Sequence, residues 1–233
     1  ADSSYTNMGF MFGAIPKELD RTSFDQYFPD VNRGVIKWDD DFDIYPKENQ
    51  DSLVQFCQML ETHVCMDVLD EKKKLSGCTT TGNKLVRPGT MECFMTEFQE
   101  WHREQYEGVE TWNIGTRELF EERLFEFRKI TKPKNNDITG SWKTQIGFVN
   151  KKLKFVRITF LSSMELLSGP ITKKPVYDMT KKMCDDHVAT APKGLQNVFP
   201  EGPLFGFVWM TTQVGFVNGL LMGLGICFPI AFL

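Results

Sequence analysis

From Phe205 to Leu233 the chain reads FGFVWMTTQVGFVNGLLMGLGICFPIAFL, and Glu201 is its last charged residue. These 29 residues exceed the roughly 20 that a helix needs to cross about 30 Å of hydrocarbon. Such a run at a chain terminus is too long and too apolar for an ordinary core helix. With about 100° between residues, Gly215, Gly219 and Gly223 fall on one face, together with Thr211, Thr212, Asn218 and Met222. Phe216, Val217, Leu220, Leu221 and Leu224 fall opposite. Small residues let another helix approach closely, and large apolar ones meet acyl chains. The expectation is a transmembrane helix over 204–233, with Gly215, Asn218, Gly219 and Gly223 as its packing face. At about 1.5 Å per residue the run is longer than the hydrocarbon it crosses, which places Trp209 at headgroup depth. The chain ends while still apolar, without stop-transfer charges, as an excerpt of a larger membrane protein would.

Residues 1–203 carry all the charge and are numerous enough to bury a core of their own. The net charge of −4 offers no electrostatic footprint for nucleic acid. The lysine pairs at 151–152, 173–174 and 181–182, and the run at 72–74, are balanced by nearby acids or separated by apolar residues. They read as solvated faces.

Cys57, Cys65, Cys78 and Cys93 fall within 37 residues, at spacings of 8, 13 and 15. Zinc sites usually contain a close CxxC-type pair, which is absent, so disulfides are the better reading. The expected pairing is nested, Cys57–Cys93 outside and Cys65–Cys78 inside. Disulfides require an oxidising compartment, which puts the domain on the extracellular or luminal side. No Asn-x-Ser/Thr sequon adds support to that side. Cys184 stands apart as a candidate buried thiol.

Along the chain, residues 8–15 read as a strand or as the exit from a preceding helix, and residues 34–38 read as a strand. Asp39, Asp41 and Asp43 alternate like calcium ligands, but Ile44 replaces the loop glycine and Gln50 replaces the terminal glutamate. A solvated loop is the expectation. Asp51 or Gln50 would cap a helix with Leu53, Val54, Cys57, Leu60 and Val64 on its stripe. A second helix spans 91–106, and a third follows Thr116, with Leu119, Leu124 and Phe127 as apolar surface. Residues 145–150 and 151–163 form a hairpin, whose alternation slips phase near Phe155–Val156, the sign of a bulge. Pro175 would start a helix through Val188, and a short strand near 195–199 follows. Without the 66–139 excursion the order is strand, helix, strand, strand, helix, strand. That predicts an α+β, ferredoxin-like (split βαβ) fold with a helical, disulfide-stapled insertion.

Catalytic motifs are missing: no GxSxG elbow, Walker loop or dinucleotide fingerprint occurs. His63, His102 and His187 lie in three separate predicted helices. Neither an enzyme nor a cofactor or metal site is expected.

A ferredoxin-like ectodomain feeding a glycine-rich membrane helix resembles the porter-type loops of the resistance–nodulation–division superfamily. Its eukaryotic members include the Patched, Dispatched and Niemann–Pick C relatives. Three segments resemble the second extracellular domain of Dispatched: residues 51–57 (DSLVQFC), Cys93-Phe94 followed by Phe98 and Trp101, and residues 189–195 (ATAPKGL). The resemblance covers roughly residues 30–230. It implies a polytopic protein of the plasma membrane, handling or exporting a lipid, a sterol or a lipid-modified ligand. It further implies contacts with other transmembrane helices and with a paired ectodomain of the same protein. The alternative is a membrane scaffold, or a receptor ectodomain that binds a protein partner.

Overall fold

β1, Tyr5–Phe12, occupies the interior of the sheet because every second side chain is apolar enough to bury. Met8, Phe10 and Phe12 are inaccessible, and Thr6 shares their face. The computed structural model describes residues 5–15, 36–63, 84–130, 141–165, 170–202 and 209–231. β2 (Ile146–Val149), β3 (Lys152–Glu165) and β4 (Val198–Glu201) complete a four-stranded sheet in the order β2-β3-β1-β4. All neighbouring strands are antiparallel.

Two helices cover the Met8/Phe10/Phe12 face. α1 (Lys47–Thr62) sets the Phe56 ring edge-on against Phe10 and Phe12, at 5.1 and 5.6 Å. α4 (Pro170–Thr190) brings His187 against the same Phe12 and Phe56 rings. On the other face Trp38 stacks on Phe155 at 5.7 Å, and Arg157 pairs with Glu201. Gly147 is required there, since a Cβ would lie 1.8 Å from the Phe155 ring.

α2 (Phe94–Gln105) and α3 (Arg117–Phe127) come from the expected insertion, yet they share the main core. Phe94, Phe98, Phe120, Leu124, Phe127 and Trp142 belong to one buried cluster with the sheet and α1. The segment leading into α2 is sewn to the β3 edge: the amides of Arg87 and Glu92 donate to the carbonyls of Leu161 and Thr159, and the Ser163 amide donates to Leu85. The hydrophobic cores of insertion and sheet are therefore continuous.

Several boundaries differ from expectation. α1 starts at Lys47, behind Pro46, not at Asp51. The Gln50 side chain is buried instead, donating to the Tyr45 carbonyl and accepting from Thr111 Oγ1, while Asp51 pairs with Lys47. α4 starts at Pro170, so Pro175 lies inside it, while Val176, Met179 and Met183 form the buried stripe as expected. β4 begins at Val198, three residues later than expected. Residues 36–38 contribute a single bridge, Ala14 to Trp38, rather than a strand, and residues 34–35 lie outside the described set. In α3 the Thr116 hydroxyl accepts from the Leu119 amide as expected, but Phe120 takes the core position and Leu119 is exposed. The bulge sits at Lys154, where Gly147 pairs with Phe155 but Phe148 pairs with Leu153.

The β2–β3 turn puts Asn150 and Lys151 at φ 51° and 63°. Both values match the two-residue hairpin turn whose twist suits antiparallel strands, and whose second position prefers glycine. Lys151→Gly is expected to raise stability by about 0.5–1 kcal/mol, measured by urea unfolding. A lower midpoint would reject the strain argument.

Candidate functional site

α5, Trp209–Ala231, contains no charged residue and contacts α4. From Gly215 to Leu224 every residue is exposed, on both sides of the helix. Phe216 is 73% exposed and Leu220 54%. A Cβ added at Gly215, Gly219 or Gly223 would meet nothing within 4 Å, and Asn218 is exposed beside them. The structure thus keeps the expected glycine face together on one helix and sets no partner against it among the described residues. Described side chains in α5 run only from Thr212 to Leu224, and among the described residues no helix is long and apolar enough to cross a membrane.

The Cys57–Cys93 disulfide is formed, joining α1 to the residue preceding α2. Cys65 and Cys78 lie outside the described residues. Cys184 is a buried free thiol. Desolvation, with Asp185 beside it, pushes its pKa up to about 12, so it stays an unreactive thiol at neutral pH.

The acidic loop is held by protein groups. Asp39 accepts from the Asp41 amide and from Asn197 Nδ2, Asp43 accepts from the Tyr45 amide, and Asp41 pairs with Lys193. Among the described residues no three His, Cys, Asp or Glu side chains are arranged to hold a metal ion. A cleft of about 820 Å³ opens between this loop, α3 and the β2–β3 turn. Its walls carry Glu118, Glu121 and Glu122 on one side and Lys151, Lys152 and Lys154 on the other. Arg117 pairs with Asp43 across it and with Glu121 on its own helix, and Glu121 also accepts from the Leu153 amide.

A second polar cluster lies between α2 and α3. His102 is fully buried; its Nδ1 donates to the Val109 carbonyl at 2.8 Å, and its Nε2 accepts from Arg123 Nη1 at 2.6 Å. Only the neutral Nδ1–H tautomer fits both bonds. The Arg123 guanidinium lies 3.8 Å from the centre of the Tyr106 ring, and the Tyr106 hydroxyl donates to Glu126. The sequence places His102 on a predicted helix and names no partner for it. The four-residue spacing of His102 on α2 and Tyr106 just past its end is legible in the sequence; Arg123 is not, because its approach depends on how α3 docks.

Burial holds the His102 pKa below its usual value; the Val109 bond opposes this and Arg123 adds to it. His187 is lowered too, by desolvation, and its Nε2 is buried without a hydrogen-bond partner. Both rings bind a proton less readily folded than unfolded. Their contribution to stability is therefore full above the unfolded value of about 6.5 and declines as pH falls through it. The urea midpoint is expected to drop between pH 7.5 and 5.5, and to drop less in His102→Gln. A midpoint that rises over that interval would contradict this assignment.

No protein-family model matches the chain, and no curated protein matches it.

Proposed function

We propose that the chain is the extracellular or luminal domain, and the following membrane helix, of a polytopic transporter-like protein that handles or exports a lipid, a sterol or a lipid-modified ligand. One observation carries the reading: α5 leaves the domain uncharged and exposed on both its glycine and its leucine faces. A helix apolar all round is stable when lipid or other helices surround it. The sequence stays apolar beyond the last described side chain, through Ile226, Cys227, Phe228, Pro229 and Ile230. The sheet order β2-β3-β1-β4, with α1 and α4 on one face, supports a ferredoxin-like, porter-type domain. The Cys57–Cys93 bridge supports an oxidising compartment.

The membrane step is tested by alkaline carbonate extraction of cells expressing the full chain. The chain is expected to stay in the pellet, and a version lacking residues 209–233 is expected in the supernatant. Release of the full chain would sink the membrane reading. The transporter step is tested in the flanking coding sequence, where two sets of six apolar spans with acidic residues at mid-membrane are expected. A protein with a single span would leave the scaffold reading in its place. Within α5, Gly219→Leu is expected to lower membrane-fraction yield while Leu220→Phe leaves it unchanged; equal yields would remove the glycine packing face.

A further inference from the structure

We propose that the cleft between the end of α2 and the start of α3 binds a carboxylate-bearing ligand through Arg123. The cleft holds about 360 Å³, and its lining includes Gln105, Tyr106, Asn113, Ile114, Leu119 and Arg123. Arg123 makes no ion pair among the described residues; its contacts are the bond to His102 Nε2 and the stack on Tyr106. Glu126 accepts from the Tyr106 hydroxyl, and Glu110 pairs with Arg103.

A half-buried guanidinium normally finds a carboxylate, because its planar fork matches one bidentately. Here one nitrogen is occupied by a neutral imidazole, which adds no negative charge, and the plane is fixed by an aromatic ring. Donors remain for an outside acceptor, and fixing the fork in advance lowers the ordering cost of binding. Ile114, Leu119 and Val109 add apolar wall, while Gln105 and Asn113 add neutral polar groups. The chemistry selects a small organic carboxylate with an apolar body, or the carboxylate end of a peptide. Glu107 also lines the cleft, but it is exposed, so water screens its charge.

The test uses the full chain in nonionic detergent at pH 7.5, titrated calorimetrically with benzoate, its neutral isostere benzamide, and inorganic phosphate. Benzoate is expected to bind at least tenfold more tightly than either of the other two. Arg123→Lys keeps the charge but loses the fork, and is expected to weaken benzoate at least tenfold; Arg103→Lys, on the neighbouring ion pair, is expected to change it less than twofold. In the unmodified chain, benzoate is expected to shift the Arg123 Nε–H resonance, a readout independent of how any variant folds. Benzamide binding as tightly as benzoate, phosphate binding as tightly, or an unmoved Arg123 resonance would each overturn the assignment.

Discussion

Replacing Cys57 and Cys93 together by alanine is expected to cost roughly 4 kcal/mol of unfolding free energy. The bond closes a loop across a sequence separation of 36 residues, and a cross-link of that span removes about this much chain entropy from the unfolded state. The native side of the bond is well supported: Cys57 is buried beside Phe56 and Leu60 on α1, and Cys93 packs against the same core. Dithiothreitol added to the unmodified chain is expected to lower the urea midpoint by a similar amount. The alanine pair, by contrast, is expected to respond less to the reductant than the unmodified chain. A loss below about 1 kcal/mol would mean that the unfolded chain already holds α1 near α2, so that the bond restricts little. Cys184 serves as the internal control, since its buried thiol is expected to resist iodoacetamide until the protein unfolds.

Gly13→Ala is expected to be similarly damaging, by about 3 kcal/mol or more. Gly13 has φ 93°, and a Cβ there would lie 2.3 Å from the Lys154 carbonyl oxygen and 3.0 Å from the Phe42 ring. The first of these is backbone, held in β3, and has no rotamer to escape into. The residue also ties three segments together: its amide donates to the Asn197 carbonyl, and its carbonyl accepts from the Asp39 amide. Gly108 offers the comparison, with φ 80° but open space around its Cβ position. Gly108→Ala is expected to cost only the conformational part, about 1–2 kcal/mol. Thermal melts of the two variants separate steric from torsional cost. Equal melting temperatures would show that β1 and β3 move apart freely.

These two substitutions fall where the sequence was most and least legible. Cysteine spacing points to disulfides within 57–93, and the Cys57–Cys93 bond is the outer one of the expected nested pairing. No spacing points to the demand at Gly13, because it arises from Lys154, 141 residues away in sequence. The same contrast runs through the helices. The Val176/Met179/Met183 stripe and the Thr116 cap are local, fixed by helical period and by one side chain bonding its own backbone. The start of α1 is not local: Gln50 is a plausible cap by composition, but Thr111 and Tyr45 draw it into the core. Propensity ranks what a residue does alone, and burial with a distant partner outweighs it.

The bulge shows the limit in miniature. A phase slip in the burial pattern was visible, and it was expected near Phe155–Val156. The structure sets the extra residue at Lys154, because Phe155 has to lie over Gly147 and under Trp38. Periodicity reports that a slip occurs; the ring that needs a glycine beneath it decides where.

By itself, the sequence determined the division into a charged part and a long uncharged helix, the strand and helix order, and the cysteines of the Cys57–Cys93 bond. Each of these is written in charge, period or spacing along the chain. The tertiary structure alone decided that the insertion helices share the main core, that segment 84–92 is sewn to the β3 edge, and that Arg123 meets His102 and Tyr106 and, among the described residues, no carboxylate. Those arrangements depend on contacts between residues far apart in the chain. Their energy comes from burial and from pairing polar groups in the interior, and neither exists until the elements have docked.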